Sequence, residues 1–71
     1  MNGDEVLVIL GSNIKKIRQQ KNMTQHELAS ECNFEKASMS RIESGQTNVT
    51  LITLHKICNA LNIDIAEIFV D

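Results

Sequence analysis

QHELASECNFEKASMSRI, running from Gln25 to Ile42, is the stretch on which the fold turns. It splits into two short helical patterns around a three-residue break, with apolar or small residues at Leu28, Ala29, Cys32, Phe34, Met39 and Ile42. That spacing describes two helices crossing at a steep angle. The first needs a tiny residue where the second passes over it, and Ala29 supplies one. The break needs a residue that tolerates a positive φ, and Asn33 does. Two helices joined in this way make a helix-turn-helix unit, whose second helix is typically the one laid into a DNA major groove.

The rest of the chain sets the bounds. Its 71 residues make one small domain, residues 1–71. A chain of this size buries only about 60% of its unfolded surface, so its core is marginal and dimerisation would help it. No apolar run approaches the roughly 18 residues of a membrane span. Val6 to Leu10 is apolar but short, and it lacks the basic flank and cleavage-like site of a signal peptide. Two cysteines without close spacing point to a reducing, cytoplasmic setting. There is no proline, no repeat and no low-complexity segment.

A net charge of −2 looks wrong for a DNA binder, but the charges are unevenly placed. Residues 13–46 carry Lys15, Lys16, Arg18, Lys21, Lys36 and Arg41 against Glu27, Glu31, Glu35 and Glu43, a balance of +2. The remainder holds only Lys56 against Asp4, Glu5, Asp64, Glu67 and Asp71, a balance of −4. The basic half thus coincides with the expected reading unit.

Capping signals place the helices. The first is expected from about Glu5 or Ser12 to Lys21, with Leu10, Ile14 and Ile17 as its inner stripe and Asn22 as its stop. The second starts at Thr24, where T-x-x-E with Glu27 forms a capping box. The third runs from about Lys36 to Ser44 and is closed by Gly45. The fourth is capped by Thr50 and runs to Leu61, with Leu51, Leu54, Ile57, Cys58 and Leu61 as its buried stripe and Asn62 as its stop. A short fifth helix capped by Asp64 carries Ile65, Ile68 and Phe69, the last two closing the core. The β-branched residues between Ile63 and Val70 leave an extended tail as the alternative.

From Ile14 to Phe69 the chain resembles the Cro/repressor-type (Xre-like) helix-turn-helix family of phage and bacterial regulators. The phrases that carry the resemblance are IKKIRQQKNMTQHELA, SMSRIESGQTNVT and LHKICNALNIDIAEIF. The T-Q-x-E-L-A phrase followed by S-x-I-E-x-G is much more specific than a generic helix-turn-helix match. Residues 1–12 then form an N-terminal extension. The resemblance implies an all-α fold, a compact five-helix bundle of the lambda-repressor type. It also implies sequence-specific operator binding as a two-fold homodimer, with no enzymatic chemistry and no cofactor. The small size and the phrase GQTNVTL further resemble controller proteins of restriction–modification systems.

Site residues carry over by position. Gln25 matches a family glutamine that meets a DNA phosphate, and Thr24 beside it is grouped with the phosphate contacts. A helix N-terminus is itself a ready anion site. Lys36, Ala37, Ser38 and Arg41 match the positions that usually face base edges. Arg41 can fork onto guanine O6 and N7, Lys36 can reach the same atoms or a phosphate, and Ala37 can touch a thymine methyl. The bland reading of Arg41 is a solvated charge paired with Glu35 or Ser44. Ser40, Thr47 and Asn48 suit phosphate contacts, which position the protein without encoding sequence. Arg18 and Glu43 match a structural ion pair linking the first helix to the end of the third, where a guanidinium fork fits a carboxylate. Three positions depart from the family pattern. Asn33 replaces a turn glycine, Glu35 replaces the usual Ser or Thr cap of the recognition helix, and Val49 replaces a frequent proline.

Other chemistry finds little support. His55 and Cys58 share a helical face, but no CxxC or HxxxH spacing exists, and Cys32 and His26 project differently. No metal site is expected. Nor is there a nucleophile set, a Gly-rich phosphate loop or an evident small-molecule effector site. Apolar surface left over on the fourth and fifth helices makes Ile52, Ile63 and Ile65 the dimer-interface candidates. A two-fold there sets two recognition helices about 34 Å apart, matching successive major grooves. A second class of function stays open: a protein-interaction module of the antitoxin kind, with DNA binding secondary.

Overall fold

Asn22, Asn33, Gly45 and Asn62 adopt left-handed φ angles of 58°, 59°, 76° and 58°, and each ends one α-helix. The computed structural model describes residues 1–69. It contains α1 (Gly3–Gln20), α2 (Gln25–Glu31), α3 (Lys36–Glu43) and α4 (Leu51–Leu61), followed by a 3₁₀ helix at Ile65–Phe69. All four α-helices stop in the same manner. The amide after each left-handed residue reaches back into the last turn: Met23 to the Arg18 carbonyl, Phe34 to Ala29, Gln46 to Arg41 and Ile63 to Cys58, at 2.8–3.1 Å. These bonds satisfy carbonyls that the helix itself leaves without donors.

The helix starts are less uniform. The Asn2 side chain accepts from the Glu5 amide at 2.9 Å, and Asp4 and Glu5 favour the positive end of the helix dipole. Helix α1 therefore begins at Gly3, earlier than the Glu5 or Ser12 start expected from its stripe, so that most of residues 1–12 continue the first helix. Thr24 and Glu27 form the expected capping box at α2. Thr50 caps α4 by accepting from the Thr53 amide.

The expected fifth α-helix is instead a single 3₁₀ segment. It is short, as 3₁₀ helices are, and begins with an i→i+3 bond from the Glu67 amide to the Asp64 carbonyl at 3.0 Å. It is not an extended tail as far as Phe69; Val70 and Asp71 lie outside the described residues. The buried Asn13 amide donates to the Ile68 carbonyl at 2.6 Å, locking this segment onto α1.

The core is built from Ile14, Leu28, Met39, Ile57, Leu61 and Ile68, all fully buried. Each such side chain contributes roughly 1.5–3 kcal/mol relative to its exposed form. Helix α3 packs against both α1 and α2, α4 lies on α2, and the 3₁₀ helix fits between α1 and α4. Two burial expectations fail. Leu51 is 70% exposed because it occupies the first position of α4, beyond the packed span, so the buried stripe begins at Leu54. Phe69 is 59% exposed, so Ile68 alone of that pair closes the core.

A glycine sets the spacing of α1 and α3. A Cβ at Gly11 would collide with the Ile42 carbonyl oxygen and stand 2.6 Å from that of Glu43. Glycine inside a helix costs about 1 kcal/mol relative to alanine. Here that cost is offset by bringing α1 directly onto the α3 backbone.

Candidate nucleic-acid interface

Helix α3 has two distinct faces. Met39, Ile42 and Glu43 are buried, whereas Lys36, Ala37, Ser40 and Arg41 are exposed and Ser38 is half-buried at the border. At 100° per residue, the four exposed positions fall within one arc on the side opposite the core. The residues expected to meet bases therefore share a solvent-facing surface with Ser40. The Arg41 guanidinium bonds neither Glu35 nor the Ser44 hydroxyl, which instead donates to the Arg41 carbonyl at 3.2 Å; Arg41 Nη2 donates to the Ser38 hydroxyl at 3.4 Å.

The pose of this face is set from behind. Arg18 Nε donates to Glu43 Oε2 at 2.7 Å and Arg18 Nη2 to Glu43 Oε1 at 3.0 Å, with both side chains buried. Arg18 Nη1 also donates to the Met23 carbonyl at 2.7 Å. Gln25 Nε2 completes the group by donating to Glu43 Oε1 at 3.1 Å. One carboxylate thus holds α1, the start of α2 and the end of α3 together through charge-assisted bonds. The Gln25 side chain is committed inward, so a phosphate would meet its backbone amide or its second amide hydrogen.

Thr24 Oγ1 accepts from the Glu27 amide at 3.1 Å, which leaves its own hydroxyl hydrogen to donate. Glu27 answers by accepting from the Thr24 amide at 2.8 Å. That bond, then the one from the Thr24 hydroxyl, holds the Glu27 carboxyl below its ordinary value of 4.5. The start of α3 has no equivalent: Glu35 makes no capping bond with its side chain.

Thr47 and Asn48 lie in the loop after α3. They line a concavity of about 270 Å³ with Ser38, Arg41, Val49 and the two threonines Thr50 and Thr53. Sequence reasoning does not place Thr50 and Thr53 on this surface. The only signal is the capping role of Thr50, whose hydroxyl donates to that of Thr53 at 2.9 Å. Of the proposed dimer residues, Ile52 is 72% exposed beside Leu51, while Ile63 and Ile65 pack partly against the core.

The remaining chemistry is muted. Burial raises the thiol pKa of Cys32, with Glu31 adding to it, and burial also raises that of Cys58, helped by Glu67 and Asp64. Both are neutral thiols in helical packing. Among the described residues no three His, Cys, Asp or Glu side chains cluster in a way that could hold a metal. No described helix is long and apolar enough to cross a membrane.

Residues 13–71 match the family described as the Cro/C1-type HTH DNA-binding domain. The chain belongs to this family. Among similar proteins, control protein C.MunI of Mycoplasma sp is 32% identical over 69 residues, covering 96% of this chain and 93% of the relative. Control protein C.BamHI of Bacillus amyloliquefaciens is 36% identical over 61 residues, covering 84% and 75%. Among solved structures, the restriction-modification controller protein C.AhdI from Aeromonas hydrophila superposes with a TM-score of 0.89 at 31% identity, over 92% of this chain and 98% of that one. In this member of the family, α2 and α3 are the helix-turn-helix pair.

Proposed function

We propose that this protein is a transcriptional regulator of the restriction–modification controller kind, which binds an inverted-repeat operator as a homodimer with α3 in the major groove. The carrying observation is the rigid presentation of Lys36, Ala37 and Arg41 on one exposed arc of α3, braced through Glu43. Arg41 reads guanine, Lys36 a neighbouring base or phosphate, and Ala37 a thymine methyl, each bidentate contact being worth roughly 1–3 kcal/mol of discrimination. Ser38 contributes at the edge of this face. Thr24, Gln25, Ser40, Thr47 and Asn48 fix the register on the sugar–phosphate backbone. The second copy docks around Ile52, with Ile63 and Ile65 contributing and the exposed Leu51 beside them. In this reading the regulator is controlled by its own concentration, through dimerisation and stepwise operator filling.

Selection from a random duplex library, with wild type and Arg41→Ala in parallel, tests the reading. Wild type should enrich an inverted repeat, and the variant should lose a guanine preference within it. No enrichment at low salt would overturn the reading and favour a protein-binding module instead.

A further inference from the structure

The first half of α1 lies against the end of α3 although it is far from it in sequence. Gly45, the left-handed residue that ends α3, faces Val8: a Cβ there would stand 2.8 Å from Val8 Cα and 2.8 Å from Val8 Cγ2. About one turn further along α1, Gly11 lays the helix on the carbonyls of Ile42 and Glu43. So α1 covers the last residues of α3 and the turn that launches the following loop.

That loop has little else to hold it. The Gly45 and Gln46 amides close the end of α3 on the Ile42 and Arg41 carbonyls. Beyond them, among the described residues, no amide from Thr47 to Val49 makes a backbone hydrogen bond, and order resumes at the Thr50 cap. Val49 packs partly against the core at one end, and at the other Val8, through its Cα, N and Cγ2, closes off the space beside Gly45. Val8 is itself 53% exposed, so its side chain contributes little to global stability.

We infer that Val8 is a positioning residue for DNA binding: it fixes the Gly45 turn and so holds Thr47 and Asn48 where they meet the phosphate backbone. This rests on the operator-binding reading above. Its role differs from that of Arg41, because a misplaced loop weakens binding on every sequence without changing which base is preferred.

The test compares Val8→Ala and Val8→Ile with wild type on the selected operator. Alanine is the better helix former, so α1 is not weakened by the first change. Val8→Ala should bind roughly three- to tenfold more weakly, the size of one or two missing hydrogen bonds. Because Thr47 and Asn48 are neutral and release no counterions, the slope of log affinity against log salt should stay near wild type. The guanine preference and thermal midpoint should stay near wild type, amide exchange at residues 45–49 should quicken, and Val8→Ile should restore binding. Unchanged affinity in Val8→Ala, with wild type binding its operator, would overturn the positioning role alone. So would a weakening that merely follows a lowered midpoint. Wild type that selects no operator would sink the DNA reading and the positioning role with it.

Discussion

The two ends of α3 are held in opposite ways. At its C-terminal end, Glu43 carries the Arg18 fork and the Gln25 amide, Gly45 closes the last turn, and Gly11 brings α1 against the backbone. At its N-terminal end, Glu35 makes no capping bond and Lys36 and Ala37 stand in solvent. The contrast shows how a short reading helix of eight residues is handled. Rigidity is concentrated on the side facing the core, where it sets the angle of approach. The N-terminal end keeps amides without intrahelical partners and side chains in solvent.

The largest break in this contrast should come from Arg18→Met. It strands the Glu43 carboxylate in a site where both side chains are buried, and a loss of about 3–5 kcal/mol in urea denaturation is expected. The double variant Arg18→Met/Glu43→Leu should recover part of that loss; a double variant as unstable as the two single losses added together would show that no charge was stranded. Gly11→Val comes next. Its side chain would drive α1 off the α3 carbonyls, at a cost of about 1–3 kcal/mol read from thermal unfolding. A variant of wild-type stability would show that the close approach carries no weight. The smallest effect sharpens the other end. Glu35→Ser should supply the missing cap, raising stability by about 0.5–1 kcal/mol and tightening DNA binding by removing a negative charge. Weaker operator binding in Glu35→Ser would mean that the loose end is needed for fit.

Much of this architecture was legible in the sequence because local chemistry determines it. The stops at Asn22, Asn33, Gly45 and Asn62 are forced by backbone conformations that few residues adopt. The Thr24–Glu27 box reads from four consecutive residues. The α3 face follows from helical period alone. What escaped depends on contacts between distant segments. Nothing near Gly11 in sequence says that the backbone of α3 passes over it. Asn13 is a buried donor only because Ile68 returns to it, 55 residues later. Leu51 and Phe69 fit their stripes by periodicity but sit at the ends of their elements, where neighbouring coverage runs out. The inward turn of Gln25 was equally hidden, because it depends on where Glu43 arrives.

The bond between Asn13 and the Ile68 carbonyl spans 55 positions along the chain. On a ribosome, which makes about 5–20 residues per second, the amide waits on the order of several seconds before its partner exists. Helix α1 can form early from local signals, but the domain cannot seal until the 3₁₀ segment has emerged and folded back. New copies therefore complete this contact only after residue 68 has emerged. Until then the unsealed face of α1 remains open to chaperones and proteases.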